Sequence, residues 1–396
     1  MKRNSITVGL LAAIALAAPQ VHAADPIKIG VPTSITGPYA QIGDQAKRGV
    51  EFAVKEVNAK GGIGGRTVEA VFGDTEGNPE AGRRAAEKLV LGGAKLLVGT
   101  ISSAVGLAIG GQLERWDALY VSSINKTNRL TGAECNPRMF RANHSDAMDM
   151  AVIGPWLKSR KEKEWAIIAA DYAWGHDSAD GFSAAAAAAG MTVKGKFFPP
   201  LGTKDYAPFI QPVGALKPNG IWVAISGRDA MNLITQANQF GLFKSSFLAA
   251  HTIAGDQSTI TSIGDGAAGI IGIVNYTSTI DTPGNKAFVA DWVKAYGKDP
   301  GIFEAQTYLA MKVLFAAIAK AGSSEPAAVA KALETISLDT PFYGQVSMRA
   351  EDHQLRLPNY IGRVARVNGE LKPVIEQRIE IAQAMPPPAA ECKMKR

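Results

Sequence analysis

From residue 25 onward, short runs rich in apolar and β-branched residues alternate with longer windows whose apolar positions recur every three or four residues. Ile27-Lys28-Ile29-Gly30-Val31 predicts a strand, and residues 41–60 predict a helix with Val50, Phe52, Ala53, Val54 and Val57 on its apolar face. Gly61-Gly62 stops that helix. Strands follow at 67–74, 95–99 and 119–122, separated by helices at 79–91 and 104–115. After residue 143 the pattern restarts, with helices at 147–158, 178–189, 206–216 and 229–240 and strands at 165–170, 192–198, 220–225 and 247–250. A strand at 270–276 then leads to helices at 285–296 and 303–321. Such alternation builds parallel sheets covered by helices on both faces. The predicted fold class is therefore α/β, two similar doubly wound lobes with mainly parallel sheets. The expected division is 24–143 plus about 277–335 for the first lobe and 144–276 plus about 336–380 for the second. A polar, extended tail at 381–396 runs through Pro386-Pro387-Pro388.

Doubly wound sheets bind ligands beyond the carboxyl ends of their strands. Two such lobes facing each other make a cleft lined by the loops at 32–42, 100–104, 123–128, 171–175, 226–229 and 251–255. The site is expected there.

The first residues read differently. Lys2 and Arg3 precede an uncharged apolar stretch at 6–18, and Val21-His22-Ala23 offers small residues where a signal peptidase reads. Residues 1–23 are thus expected to be a cleaved signal peptide, since the apolar stretch is shorter than the roughly 20 residues a membrane span needs. No later window reads as a span, so the mature chain is expected to be exported and soluble.

Cleavage would leave 396 − 23 = 373 residues, enough for two domains. Lys and Arg number 42 against 36 acidic residues, and without Lys2 and Arg3 the balance is 40 − 36 = +4. The basic residues are scattered rather than striped, which argues against nucleic acid and fits an anionic ligand. The two cysteines, Cys135 and Cys392, would meet an oxidising compartment, where an even count points to one disulfide. Closing so long a loop stabilises by about 4 to 5 kcal/mol on chain-entropy grounds. The alternative is two unpaired thiols.

Several chemistries find no support. Gly61-Gly62-Ile63-Gly64-Gly65 follows a helix and precedes a strand, the reverse of a dinucleotide loop. There is no Walker A sequence or Gly-x-Ser-x-Gly elbow, and the five histidines lack metal-ligand spacing. No cofactor, no metal and no catalytic set are expected, and the chain does not read as an enzyme.

The stretch Thr36-Gly37-Pro38-Tyr39-Ala40-Gln41-Ile42-Gly43-Asp44-Gln45 resembles the leucine/isoleucine/valine-binding family of periplasmic receptors. The likeness continues through Gly49-Val50, Val57-Asn58-Ala59-Lys60-Gly61-Gly62-Ile63, Gly73-Asp74-Thr75, Val98-Gly99, Ser102-Ser103 and Thr307-Tyr308. The resemblance implies a two-lobed clamp whose chain crosses between lobes three times, a monomer serving the permease subunits of an ABC importer. It also implies that Ser102 and Ser103, with the N–H groups of the helix starting near Ala104, hold a ligand carboxylate. A helix N-terminus favours an anion; the alternative is that Ser103 merely caps the helix.

The family holds the ligand's amino group with a threonine after the fourth strand and an acid in the second lobe. Here those places fall on Ile124-Asn125-Lys126 and on His251, which removes acceptors and adds a cation. An α-amino acid ligand is therefore doubtful, unless Lys126 points to solvent. Trp174 takes the family's aromatic wall position, with Tyr39 and Phe303 facing it, though Phe303 also reads as core. The ligand-binding set is thus Tyr39, Ser102, Ser103, Asn125, Lys126, Trp174, His251 and Phe303. The expected function is capture of a small carboxylate-bearing solute, aromatic or other non-amino acid, in the periplasm. The alternatives are a true branched-chain amino acid binder and a ligand-sensing receptor domain of the same fold.

Overall fold

A computed structural model describes residues 25–394, so the predicted signal peptide lies outside the described residues. Fifteen strands form two sheets. In the first half of the chain they are β1 (Ile27–Thr33), β2 (Val68–Asp74), β3 (Leu96–Gly99), β4 (Leu119–Ser122), β5 (Met139–Arg141), β6 (Glu164–Ala169), β7 (Thr192–Phe197) and β8 (Gly220–Ala224). The rest are β9 (Phe247–Ala250), β10 (Ile271–Ile273), β11 (Ser337–Thr340), β12 (Gly344–Arg349), β13 (Gln354–Arg356), β14 (Asn359–Val367) and β15 (Glu370–Ile379). The first sheet runs β11-β12-β13-β5-β4-β3-β1-β2 and the second β15-β14-β10-β9-β8-β6-β7. β1 to β5 pair in parallel, as do β6 to β10, while β11, β12, β14 and β15 join antiparallel at one edge. The central strands Leu96–Gly99, Leu119–Ser122 and Gly220–Ala224 are buried throughout, as parallel strands covered on both faces must be.

The second-lobe boundary expected near 336 needs correction. β11, β12 and β13 pair within the first sheet, and β13 lies beside β5 with Gln354 opposite Arg141. The last crossing comes instead at Leu357 and Pro358, just before β14 joins β10. The hydrophobic pattern places no strand at β5 or after residue 276, so β11 to β15 are all additions, including β14 and β15 of nine and ten residues. The helix Ile302–Ala321 also corrects an expectation. It is long and apolar enough to cross a membrane, yet 15 of its side chains are buried against the first lobe, so its hydrophobicity serves the core.

In each lobe a glycine lets a helix start close against a strand end. A Cβ on Gly43 would lie 1.8 Å from the Ser34 carbonyl oxygen, and one on Gly175 1.8 Å from that of Ala170. These contacts seat the helices Ala40–Ala59 and Ala173–Ala188, which carry Ile42 and Trp174 to the cleft. Cys135 and Cys392 form a disulfide with Cα atoms 5.6 Å apart. With the Arg349 guanidinium donating to the Pro386 carbonyl at 2.6 Å, it ties the tail to the first lobe.

Candidate functional site

β3 ends at Gly99, and after three intervening residues the helix Ser103–Gly110 begins, with Ser102 extended at its N-cap. The Ser103 Oγ accepts hydrogen bonds from the N–H groups of Lys126 and Thr127, both at 3.2 Å. A hydroxyl offers two lone pairs and one proton. Both lone pairs are spent on the loop after β4, so the O–H proton is left to the cavity that Ser103 lines. Across the cleft, Trp174 stands in the first turn of Ala173–Ala188, 3% exposed, and its indole N–H has no partner among the described residues. Around these two donors stand Ile42, Ile101, Ile124, Lys126, Tyr172, Ser226, Thr252 and Phe303. The cavity measures about 20 Å³, room for about one water.

It is small because the lobes touch. Tyr39 Oη donates to Tyr172 Oη at 2.8 Å, the rings edge to face. Asp177 of the second lobe accepts from the Asn128 N–H at 2.8 Å and from the Thr127 hydroxyl, and Gln41 donates to Ser258. Outside this seam an open groove of about 900 Å³ runs between the lobes, bordered by Asp44, Arg48, Gln257 and Lys372.

Behind the cavity lies a second polar group with a different character. Lys126 lines the cavity, but its Nζ donates to Asp149 Oδ2 at 2.5 Å and to Asn275 Oδ1 at 2.7 Å. Asp149 Oδ1 accepts from the amides of Asn275 and Asn359, at 2.9 and 2.7 Å. Asn275 follows β10 and Asn359 opens β14, so both belong to segments that cross between lobes. His144, on the remaining crossing, donates from Nε2 to the Pro358 carbonyl at 2.8 Å. Burial pushes the Asp149 carboxyl up, but the Lys126 ammonium and the His251 and His144 rings outweigh it and hold the group at about 2. Burial pulls His144 down to about 4, so this ring is neutral at pH 7.

Of the eight predicted ligand residues, the structure brings Ser103, Lys126, Trp174 and Phe303 together around the cavity. Tyr39 stands one step out, touching the wall through Tyr172. Asn125 is consumed locally, its amide donating to Thr100, Ile101 and Ser102 and its carbonyl accepting from Tyr120 and Ser122. Ser102 sits at the N-cap and does not reach the cavity wall. His251 is not in the wall either. Its ring lies behind Trp174, centroids 5.1 Å apart, with Nε2 donating to Asp146 at 2.9 Å. A buried imidazole N–H needs an acceptor, and the start of the helix Asp146–Lys158 supplies it. The cation expected at Lys126 is likewise not loose in the site, because Asp149 neutralises it. Tyr172, Ser226 and Thr252 fall in loops predicted to line the cleft but carry no individual signal. Asp149 did leave one, since it stands with Asp146 as a pair of carboxylates at the start of an otherwise largely apolar helix. Among the described residues, no group of histidine, cysteine and carboxylate side chains could hold a metal.

Two facing α/β lobes with three chain crossings and a cavity at the seam define a solute-capturing clamp. The sequence profile of the periplasmic binding protein family matches residues 26–370. The chain is 32% identical over 342 residues to the Leu/Ile/Val-binding protein BraC3 of Rhizobium johnstonii, covering 84% of this chain and 89% of that one. It is 31% identical over 344 residues to a leucine-, isoleucine-, valine-, threonine- and alanine-binding protein of Pseudomonas aeruginosa, covering 84% and 89%. In fold it is similar to an ABC transporter solute-binding protein of Rhodopseudomonas palustris BisB5 in complex with 3,4-dihydroxybenzoic acid. The TM-score there is 0.83 at 24% identity, covering 90% of this chain and 98% of that one. A second R. palustris solute-binding protein, in complex with benzoate, gives 0.81 at 22%, covering 89% and 96%. The chain belongs to the periplasmic binding protein family.

Proposed function

We propose that the chain captures a small carboxylate without a free ammonium group, an aromatic acid above all, and delivers it unchanged to the permease subunits of its importer. The observation that carries this reading is the pair of unspent donors, Ser103 O–H and Trp174 N–H, that line one cavity whose wall is otherwise largely apolar and aromatic. Donors without acceptors call for an anion, and the first turn of Ser103–Gly110 adds N–H groups with no intrahelical partner. Among the described residues, no carboxylate lies in the cavity wall itself. Behind it Asp149 is paired with Lys126, Asp146 Oδ1 accepts from His251 and Glu304 is paired with Arg48, while Asp229 accepts the Gly202 N–H. Tyr172, Trp174 and Phe303 supply ring surface for a planar ligand. An aromatic acid exceeds the present cavity, so it is admitted by lobe separation and held by reclosure. The protein acts as a periplasmic monomer, released by cleavage after Ala23.

Isothermal titration with benzoates, keto acids and leucine tests this. Benzoate-like acids bind more tightly than leucine; submicromolar leucine binding contradicts the reading. The names of the Rhizobium and Pseudomonas relatives favour that second reading, a branched-chain amino acid binder.

A further inference from the structure

The side chain of Lys126 has one foot in each of two environments. Its stem forms part of the cavity wall, while its amine is 96% buried with the rest of the residue and bonded to Asp149 and Asn275 at the hinge. Asp149 is itself wholly buried, and every oxygen it has is used: Oδ2 by Lys126, Oδ1 by the amides of Asn275 and Asn359. A carboxylate and an amide carbonyl converging on one nitrogen are the acceptors that a solute's ammonium would need. Here they converge on an ammonium that the protein supplies.

We propose that Lys126 is a tethered occupant of a cation site at the base of the cleft, and that by filling it Lys126 sets the pocket's selectivity against amino-bearing solutes. The proposal rests on reading the cleft as the solute pocket. Truncating Lys126 at Cβ removes the part of the wall that separates the cavity from Asp149. What remains is a buried carboxylate with Asn275 Oδ1 beside it, open to a ligand of matching charge. The other groups facing Asp149 are His251, whose Nε2 lies 3.5 Å from Oδ2, and His144. His251 already donates to Asp146, and burial disfavours charge on His144, so neither replaces the lost ammonium at neutral pH. The site then recruits a cation from solution. A primary amine fits, having N–H donors for both acceptors; a quaternary amine has none.

The test is Lys126→Ala in the mature chain, with the thermal midpoint followed in ethylammonium chloride against equal tetramethylammonium chloride. The midpoint of the variant rises in ethylammonium alone, whereas the parent responds to both salts equally. Leucine binds the variant about tenfold or more tightly than the parent, the scale of one hydrogen bond to a charged group. Equal responses of the variant to the two salts, with leucine affinity unchanged, overturn the proposal. If Lys126→Ala does not fold by itself, refolding in the two salts replaces the melting experiment. Recovery in ethylammonium only supports the cation site, and equal failure in both overturns it. Benzoate titration of the parent is read separately, so loss of the carboxylate reading is not confused with loss of this one.

Discussion

The cavity and the hinge lie one side chain apart and share Lys126, yet their hydrogen bonds are distributed in opposite ways. At the hinge both Asp149 oxygens and the Lys126 amine are engaged, by groups drawn from the crossing segments. In the cavity the Ser103 proton and the Trp174 N–H are left over, although both residues are almost wholly buried. An unpaired buried donor costs about 1 to 3 kcal/mol, so a fold carries such deficits where something else repays them. Satisfied polar groups hold the lobes in register, and the two leftover donors stand where the lobes enclose the cavity. Other buried polar atoms also lack partners, among them Asp146 Oδ2 and the Nδ1 atoms of His144 and His251, so it is unspent valence together with a place in the cavity wall that singles out Ser103 and Trp174.

The contrast can be broken most violently at the hinge. Asp149→Ala strands the Lys126 ammonium and two asparagine amides, and the expected loss is about 3 to 5 kcal/mol in urea unfolding. A loss below about 1 kcal/mol, the worth of a surface pair, would show the network to be solvated. Next in size is a pH effect from His144. Its folded pKa lies below the free value, near 4 against 6.5, so between those values the unfolded chain binds the extra proton. Its contribution is complete above pH 6.5 and is lost as pH falls to 4, by about 3 kcal/mol at the full shift. Asp256 opposes it in part, because burial raises that carboxyl to about 6 and its stabilising effect is present at low pH and fades as pH rises from 3.8 to 6. Comparing the parent with His144→Gln cancels Asp256, and identical pH slopes would remove His144 from the account.

On the cavity side the expected effects are smaller and move to affinity. Ser103→Ala removes a donor to the carboxylate, a loss of about 1.5 to 3 kcal/mol, or tenfold to over a hundredfold in Kd. It also lowers stability, because the Lys126 and Thr127 N–H groups lose their acceptor. Trp174→Phe separates the two consequences. The indole N–H has no protein partner to lose, so the calorimetric stability cost is that of the smaller ring alone, about 1 to 2 kcal/mol, while affinity falls about threefold to tenfold. A variant that loses stability but keeps its affinity would place Trp174 among the structural residues.

Much of this was legible in the chain itself. Nine of the ten cavity residues fall in the six loops that strand-end reasoning selected, and the tenth, Phe303, was named separately. The rule works because a parallel sheet sends every strand-to-helix loop to one edge, whichever side chains the loops carry. Individual roles were less legible. His251 and Lys126 were placed correctly along the sequence but assigned charges facing a ligand, because their partners Asp146 and Asp149 lie far from them in the sequence, Asp149 on a helix of the other lobe from Lys126 and Asp146 on that same helix within the lobe of His251. Asn125 misled for a similar reason: its bonds go to Thr100, Ile101 and Ser102, some two dozen residues earlier. All the late strands, β11 to β15, escaped: β11 to β13 are three- to six-residue strands that take their pairing from tertiary contacts rather than from local period, whereas β14 and β15, at nine and ten residues, were simply not read from the pattern.

The central claim is that the solute meets the unspent donors and leaves the hinge pair intact. The most direct measurement is a crystal structure with the tightest-binding acid from the titration panel. The ligand carboxylate is expected within hydrogen-bond distance of Ser103 Oγ and Trp174 Nε1, with Lys126 Nζ still on Asp149. A carboxylate bonded to Lys126 with Asp149 released, or a ligand ammonium seated on Asp149, would contradict it.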